Sequence, residues 1–228
     1  MNNITRREFL LLAGLTAINS AYIFKDIDLN NNSNKIYSLT DYIHLAKYSA
    51  DTEDGKAEFE GMGFIMDGKY ITCNHIPARM KIKTTTTPFG SVEDIRKIEN
   101  EEAYIGNIRL TELVRDEKSD IAIYDSYGYL PDFPCKPCND INLGDEVYII
   151  GNPGLKGHNI RKSKISDLDG LDGLDVSDYC FGIGKALIGG DSGTPIVNSD
   201  YELLGMNTLT AFGQLGYATK IKHILDKL

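Results

Sequence analysis

The distribution of short β-prone segments limits the fold of this chain more than any other feature of its sequence. These segments form two sets, one within residues 42–124 and one within residues 146–219. Residues 128–141 separate the sets and hold three prolines, which suit an irregular connection better than a strand. Each set can hide its edge strands by closing on itself. The pattern therefore predicts an all-β fold with two β-barrels.

Runs of apolar and β-branched residues between turn residues set the predicted strand limits. Barrel one is expected at about residues 40–127 and barrel two at about residues 142–219. The predicted strands are residues 42–48, 59–66, 69–73, 81–87, 103–114 and 121–124, then 146–150, 160–166, 181–188, 194–197, 203–209 and 216–219. Residues 220–228 instead place apolar side chains at helical spacing, which predicts a C-terminal helix packed on barrel two.

The N-terminal region is similar to an export signal of the twin-arginine type. The pair Arg6–Arg7 precedes a short apolar run over Phe9–Ala17. That run is too short for a membrane span, which needs about 20 apolar residues. A polar, asparagine-rich tract at residues 30–34 follows and suits a tether. We interpret residues 1–35 as an export signal or anchor with a polar tether, and residues 36–228 as the folded domain.

Such a signal predicts that the protein is exported to the periplasm or the extracellular space. An uncleaved signal would act as a membrane tether, and the simpler alternative is an ordinary amphipathic start with two chance arginines. The formal net charge is -9, which argues against a basic nucleic-acid footprint and indicates a soluble acidic surface. No nucleic-acid partner is therefore expected.

The strongest chemical signal is the segment Gly189–Pro195, with the sequence GGDSGTP. A serine hydroxyl becomes an effective nucleophile only when a base removes its proton and donors stabilise the oxyanion. Glycines around Ser192 allow backbone N–H groups to turn toward such an oxyanion. The segment predicts Ser192 as the nucleophile and the N–H groups of Gly190 and Ser192 as the oxyanion hole.

The base is expected to be a histidine at the end of a strand. Of the four histidines, only His75 ends a run that has the composition of a buried strand. The orienting carboxylate is expected directly before another buried strand, and Asp120 precedes Ile121–Ile123. The order of histidine, aspartate and serine differs from the orders in subtilisins and α/β-hydrolases. These positions predict a catalytic triad of His75, Asp120 and Ser192.

Five motifs occur along the chain in a specific order. They are Gly61–Ile65 with Ile71–His75, Asp120–Ile123, Leu143–Val147 with Ile150–Gly154, Gly190–Pro195 and Leu204–Thr208. Together they resemble the trypsin-like serine proteases of the bacterial HtrA-like branch, without a PDZ domain, over about residues 40–228. The resemblance implies a chymotrypsin-like double β-barrel, endopeptidase activity on protein or peptide substrates, and an active site between the barrels. The alternative is a catalytically silent peptide-binding module on the same fold.

Two residues of the serine segment depart from that branch. Thr194 stands where most members have glycine, and its small size is expected to be tolerated. Asp191 replaces the usual asparagine and resembles the aspartate that pairs with a newly freed N-terminus in trypsins. The sequence contains no Ile-Val-Gly-Gly start. Asp191 is therefore expected to pair with an internal lysine or arginine, or to belong to another form of regulation.

The resemblance also implies which residues contact substrate. The residue six positions before the serine forms the floor of the P1 pocket in this fold, and here it is Ala186. A small apolar floor lacks the carboxylate that would bind lysine or arginine, so small or medium aliphatic P1 side chains are expected. Asn207, Thr208 and Leu209 are expected to pair with the substrate backbone as an added β-strand.

No cofactor is expected, although two weaker metal signals occur. Cys135 and Cys138 form a CxxC pair that could bind a structural zinc with Cys180, but a disulfide involving Cys135 or Cys138 is the preferred interpretation. Cys73 is expected to be a buried core thiol. The Asp/Gly repeat over Asp167–Asp178 offers oxygen ligands for calcium, but it lacks the bidentate glutamate of an EF-hand. A solvated loop is the preferred interpretation of the repeat.

Overall fold

The computed structural model describes residues 33–87, 90–169, 177–211 and 215–228, and strands dominate these residues. The strands are β1 (Ile43–Thr52), β2 (Gly55–Met66), β3 (Lys69–Cys73), β4 (Ile82–Thr87), β5 (Gly90–Ile95), β6 (Ile98–Ile105), β7 (Ile108–Asp116), β8 (Ile121–Asp125), β9 (Glu146–Gly151), β10 (Asn159–Asp167), β11 (Cys180–Ile183), β12 (Pro195–Asn198), β13 (Leu203–Ala211) and β14 (Leu215–Lys220). The helices are α1 (Ser33–Ser38), α2 (His75–Ala78) and α3 (Ile221–Leu225), and 3-10 turns span Leu39–Tyr42, Arg79–Lys81, Pro153–Leu155 and Ser177–Tyr179.

Barrel one closes in the strand order β1-β2-β3-β8-β7-β6. Its β2–β3 hairpin turns at Asp67 and Gly68, whose φ angles are 50° and 68°. Positive φ at both central residues is the requirement of a type I′ turn, whose twist matches that of paired strands. Within the described ranges, strands β4 and β5 pair with each other alone, as a separate two-stranded sheet.

Barrel two closes in the strand order β10-β11-β14-β13-β12-β9. The predicted all-β double barrel is therefore confirmed. The predicted C-terminal helix is also present, but α3 is shorter than residues 220–228 and ends at Leu225. After α3 the chain reaches barrel one, where Lys69 Nζ donates to the Leu228 carbonyl at 2.5 Å and Lys227 forms an ion pair with Asp116.

The connector at residues 128–141 is bound to both barrels. The Phe133 N–H donates to the Ile65 carbonyl of barrel one at 2.8 Å, and the Leu203 N–H of barrel two donates to the Lys136 carbonyl at 2.8 Å. One hydrophobic cluster also continues from barrel one into barrel two and α3, because it contains Ile65 together with Leu203 and Ile221. The two barrels therefore share a core at the seam between them.

Besides shifts at strand ends, such as β2 beginning at Gly55 rather than residue 59, the observed strands differ from the predicted ones in three ways. Residues 103–114 form β6 and β7 rather than one strand, because the chain turns at Gly106, whose φ is 56°. Strand β5 was missed because its sequence, GSVEDI, has no clear alternation of apolar and polar residues. Strand β11 ends at Ile183 rather than residue 188, and the following residues instead lead into the serine segment.

The predicted export signal and most of the tether, residues 1–32, lie outside the described residues. Helix α1 begins at Ser33, and Ile36 and Leu39 are buried in the shared hydrophobic cluster. Within the described ranges, no helix is long and apolar enough to cross a membrane.

Candidate active site

His75 occupies the first position of α2, directly after β3. The Asn74 N–H donates to the Asp120 carbonyl at 3.1 Å, which joins the end of β3 to the start of β8. Helix α2 also lies very close to β2, since a Cβ on Gly61 would overlap the Ile76 side chain. The glycine therefore permits the packing that fixes the position of His75.

Asp120 precedes β8 and has a φ of 54°, a left-handed conformation that aspartate adopts more readily than most residues. Its buried carboxylate accepts hydrogen bonds from the His75 ring at Nδ1 (2.7 Å), from the His75 backbone N–H (2.8 Å) and from the Thr208 hydroxyl. Burial opposes the charge, but the adjacent His75 and these hydrogen bonds outweigh it and lower the pKa of Asp120. In a neutral imidazole, a hydrogen bond to an ionised carboxylate places the proton on Nδ1 and leaves Nε2 as an acceptor.

Ser192 lies in the loop between β11 and β12, on barrel two. Its hydroxyl donates to the Thr208 carbonyl at 3.1 Å. Among the residues that the structure describes, a hydrogen bond joins His75 to Asp120 but none joins Ser192 to His75. The predicted base and carboxylate are therefore in direct contact, and the predicted nucleophile is linked to them through Thr208.

Gly193 brings the serine loop against barrel one. Its φ is 85°, and a Cβ at this position would overlap the carbonyl oxygen of Met62 on β2. The Gly193 N–H also donates to the Asn207 carbonyl at 2.9 Å. Only glycine accommodates both the left-handed backbone and the close approach, so contact between the barrels explains this glycine.

Thr208 on β13 connects the two halves of the site. Its hydroxyl donates to Asp120 of barrel one, and its carbonyl accepts the hydrogen bond from Ser192 of barrel two. The sequence predicts Thr208 only as a backbone contact for substrate, so its hydrogen bond to Asp120 was missed. No local pattern could have revealed it, because the bond joins residues 88 positions apart.

The predicted oxyanion residues lie in a tightly folded loop. Gly190 has a φ of 98°, and a Cβ on it would overlap the carbonyl oxygen of Asn152. The Gly154 N–H donates to the Gly189 carbonyl at 2.6 Å, and the Asp191 N–H donates to the Ile188 carbonyl at 2.9 Å. These contacts fix the backbone on both sides of Gly190.

Asp191 pairs with an internal arginine, which was one of the two expected arrangements. Arg161 on β10 forms an ion pair with the completely buried Asp191 carboxylate, and the Ile188 N–H donates to the same oxygen at 2.6 Å. Burial nevertheless outweighs the attraction of Arg161 and raises the pKa of Asp191.

Thr194 is completely buried beside this loop. Its hydroxyl donates to the Asp191 carbonyl at 2.6 Å and accepts a hydrogen bond from the Asn207 side-chain amide at 3.0 Å. The hydroxyl of the threonine that stands in place of glycine therefore has hydrogen-bond partners within the fold.

The residues expected to contact substrate have different surroundings. Ala186 is partly exposed, and its carbonyl accepts a hydrogen bond from Arg161 Nη1 at 3.1 Å. The Asn207 N–H donates to the Thr194 carbonyl at 2.8 Å, and the Asn207 carbonyl accepts the Gly193 N–H. Both backbone groups of Asn207 thus have partners inside barrel two. The next residues on β13 are Thr208, which is buried, and Leu209, which is partly buried.

Cys73 is a buried core thiol, as predicted. Its Sγ donates to the Asn207 carbonyl at 3.1 Å. The donor atoms of Cys73, His75 and Asp120 lie within 4.8 Å of one another, the only such group that the described ranges contain. Burial raises the pKa of Cys73 well above its usual value, which opposes the thiolate that a metal would need.

The expected disulfide involving Cys135 or Cys138 is not formed, since no disulfide joins any of the four cysteines, all of which lie in the described ranges. Cys135 and Cys180 lie in separate hydrophobic clusters. The middle of the Asp167–Asp178 repeat, residues 170–176, is outside the described residues. At its start, Asp167 Oδ1 accepts the Asp169 N–H at 3.1 Å, as in a surface turn.

Two closed six-stranded barrels with a histidine–aspartate pair on one side of their seam and a serine loop on the other define the class of chymotrypsin-like serine proteases. The comparison with protein families agrees with that class. The model of the trypsin-like peptidase domain matches residues 61–206, which is more than half of the chain. This chain therefore belongs to the trypsin-like peptidase family.

The curated relatives that match this chain are named as serine proteases. A protein named as a probable periplasmic serine endoprotease DegP-like, from Rickettsia prowazekii, is 31% identical over 165 residues, covering 68% of this chain and 29% of the relative. The serine protease HTRA3 of Mus musculus is 30% identical over 166 residues, covering 69% of this chain and 34% of the relative. The chain thus spans about a third of the length of these relatives.

Solved structures share the fold at lower sequence identity. The active form of the Rv3671c protease from M. tuberculosis has a TM-score of 0.63 at 18% identity, covering 93% of both chains. The inactive form of the Rv3671c protease has a TM-score of 0.59 at 19% identity, covering 90% of this chain and 98% of the other. At these identities the likeness concerns the fold alone.

Proposed function

We propose that this protein is a serine endopeptidase that hydrolyses peptide bonds through an acyl-enzyme. The observation that carries the proposal is the pair of hydrogen bonds that the Asp120 carboxylate accepts from the ring and from the backbone N–H of His75. These two hydrogen bonds hold the ring in the tautomer whose Nε2 can accept a proton. An orienting carboxylate of this kind is needed for base catalysis and is not needed for a binding module.

The nucleophilic step requires Ser192 to exchange its acceptor. In the structure its hydroxyl donates to the Thr208 carbonyl. A substrate strand laid along β13 would donate its own N–H to that carbonyl, which would release Ser192 toward His75 Nε2. Ser192 Oγ then attacks the peptide carbonyl carbon while its proton passes to Nε2. His75 next protonates the leaving amine, and water activated by His75 hydrolyses the acyl-enzyme.

The oxyanion of the tetrahedral intermediate is proposed to bind the N–H groups of Gly190 and Ser192. The neighbouring N–H groups of Asp191, Gly193 and Thr194 already donate to carbonyl groups of the protein. Within the described ranges, no such acceptor is found for Gly190 or Ser192. Two fixed donors of this kind stabilise charge that develops only during the reaction.

Small or medium aliphatic P1 side chains remain the proposed specificity. Ala186 offers neither a carboxylate for a basic P1 residue nor bulk that would close the pocket. The test is hydrolysis of a peptide series that differs only at P1, comparing alanine, valine and leucine with arginine. A preference for arginine would refute this role of Ala186.

The proposed substrates are proteins or peptides, and the proposed location is outside the cytoplasm. The twin-arginine pattern at Arg6–Arg7 supports export, as does the periplasmic name of the Rickettsia prowazekii relative. Fractionation of cells that express the full chain tests this proposal. Replacing both arginines by lysine is expected to retain the protein in the cytoplasm, and unchanged fractionation would refute a twin-arginine signal. No cofactor is proposed, so dialysis against EDTA is expected to leave activity unchanged.

The second candidate function is a silent peptide-binding module, which the bond between Ser192 and Thr208 would favour if it persisted with substrate bound. Labelling of the full chain with a fluorophosphonate probe separates the two, with Ser192→Ala as the control. Labelling of wild type alone supports the peptidase. Folded wild-type protein that stays unlabelled would favour the binding module.

A further inference from the structure

The carboxylate of Asp191 lies in an enclosed site directly before the proposed nucleophile. It is completely buried, and one of its oxygens is bound by Arg161 and by the Ile188 N–H. The other oxygen faces the backbone of Gly151, where any Cβ would overlap it. The fold therefore provides a closely fitted place for this carboxylate, made from β9, β10 and the loop itself.

Arg161 contacts both ends of the segment that leads to Ser192. Its guanidinium donates through Nη1 to the Ala186 carbonyl at 3.1 Å and through Nη2 to Asp191. The side chain is only 11% exposed. A planar guanidinium can hold two acceptors at a fixed spacing, which a lysine ammonium on a flexible stem does less well.

Loss of this cation would leave the buried carboxylate with only the Ile188 N–H, among the described residues, to offset its charge. Among the residues that the structure describes, Arg161 is the only cationic side chain paired with Asp191. Removing one partner of a buried ion pair is strongly unfavourable, because the remaining charge has lost its water. Asp191 would be expected to turn toward solvent and to displace Gly190 and Ser192, which are its direct neighbours in the chain.

We propose that Arg161 is the positioning residue that holds residues 186–193 in the conformation required for the oxyanion hole and the P1 pocket. This inference rests on the proposed peptidase function. Because the cation comes from β10, the order of the loop does not depend on a freed N-terminal amine. The protein is therefore expected to react without proteolytic activation, also when extra residues precede its N-terminus.

The test compares Arg161→Met and Arg161→Lys with Arg115→Met in the full chain. Arg115 is a matched control, since it is 14% exposed and pairs with Glu101 and Glu112 on barrel one. Two quantities are measured for each folded variant. One is the rate of fluorophosphonate labelling, and the other is amide hydrogen exchange over residues 186–193.

Arg161→Met is expected to exchange faster at residues 186–193 and to be labelled on the order of 100-fold more slowly, the cost of losing an oxyanion donor. Arg115→Met is expected to show neither effect. If Arg161→Met does not fold, Arg161→Lys carries the test, with slower labelling than wild type expected from its single point charge. The inference would be overturned if the folded Arg161 variants were labelled and exchanged their amide hydrogens at the same rates as the wild-type protein. If the folded wild-type protein is not labelled at all, but Arg161→Met still exchanges faster at residues 186–193, Arg161 positions the segment and the proposed peptidase function is refuted.

Discussion

The hydrogen bond from Thr208 to Asp120 leads to a quantitative prediction about stability and its pH dependence. Thr208→Val removes the hydroxyl while keeping the shape of the side chain. Of the hydrogen bonds that the described residues make to this buried carboxylate, the two from His75 then remain. Thr219→Val is a matched control, because Thr219 is equally buried and its hydroxyl donates to the neutral Ser119 carbonyl at 3.1 Å.

The two substitutions should differ in magnitude at neutral pH. A hydrogen bond to a charged group contributes about 1.5–3 kcal/mol, whereas a neutral one contributes about 0.5–1.5 kcal/mol. Thr208→Val is therefore expected to lower the free energy of unfolding by about 1.5–3 kcal/mol at pH 7, and Thr219→Val by about half as much.

The difference should disappear in acid. The pKa of folded Asp120 is lowered, so its ionisation stabilises the protein above the unfolded pKa of about 3.9, and that stabilisation is lost as the pH falls through the folded pKa. Thr208→Val raises the folded pKa toward the unfolded one and thus removes part of this stabilisation. Below pH of about 4 the cost of Thr208→Val should fall toward that of Thr219→Val, whose cost is independent of pH.

Urea unfolding from pH 7 down to pH 3 measures both costs, provided that the m-values agree. Equal costs for the two variants at pH 7 would refute the claim that Thr208 stabilises an ionised Asp120. A cost for Thr208→Val that stays constant with pH would refute it as well.

Two further substitutions test other contacts. Gly151→Ala is expected to expel the Asp191 carboxylate and to slow fluorophosphonate labelling by about 100-fold. The control Gly184→Ala, whose Cβ would lie 3.6 Å from its nearest neighbour, should be labelled like wild type. Equal labelling rates for the two variants would contradict the proposed fit of the carboxylate. Lys227→Met removes the ion pair with Asp116, whose pKa is lowered to about 2 by Lys227 and by backbone and side-chain hydrogen bonds against the opposing effect of burial. It should cost about 1 kcal/mol at pH 7 and progressively less below pH of about 4, since ionised Asp116 then contributes less; a cost in urea unfolding that does not change with pH would contradict this assignment.

The double barrel was predictable because its evidence is local. Alternating strands, the turn at Asp67 and Gly68 and the proline-rich connector each act over a few residues. The strands that were wrong or missed lacked such signals. Strand β5 has a polar sequence that pairs only with β4, and the break between β6 and β7 depends on the single turn at Gly106.

The candidate site was predictable to the extent that family motifs encode it. The motifs identified His75 and Asp120, and the structure places them in contact. They could not identify Arg161 as the partner of Asp191, because that pair depends on how β10 packs against the serine loop. The sequence left open whether Asp191 pairs with an internal lysine or arginine or belongs to another form of regulation.

The division of the site between the barrels has a consequence for the life of the protein in a cell. His75 and Asp120 belong to the half that is synthesised first, whereas Ser192 and Thr208 belong to the half that follows the connector. Domains generally fold in the order of synthesis. A nascent or half-unfolded chain therefore carries only one part of the proposed catalytic machinery, and the proposed peptidase activity would arise only once both halves had folded. Such timing would protect neighbouring proteins, and sister copies of this chain, from cleavage before it is complete.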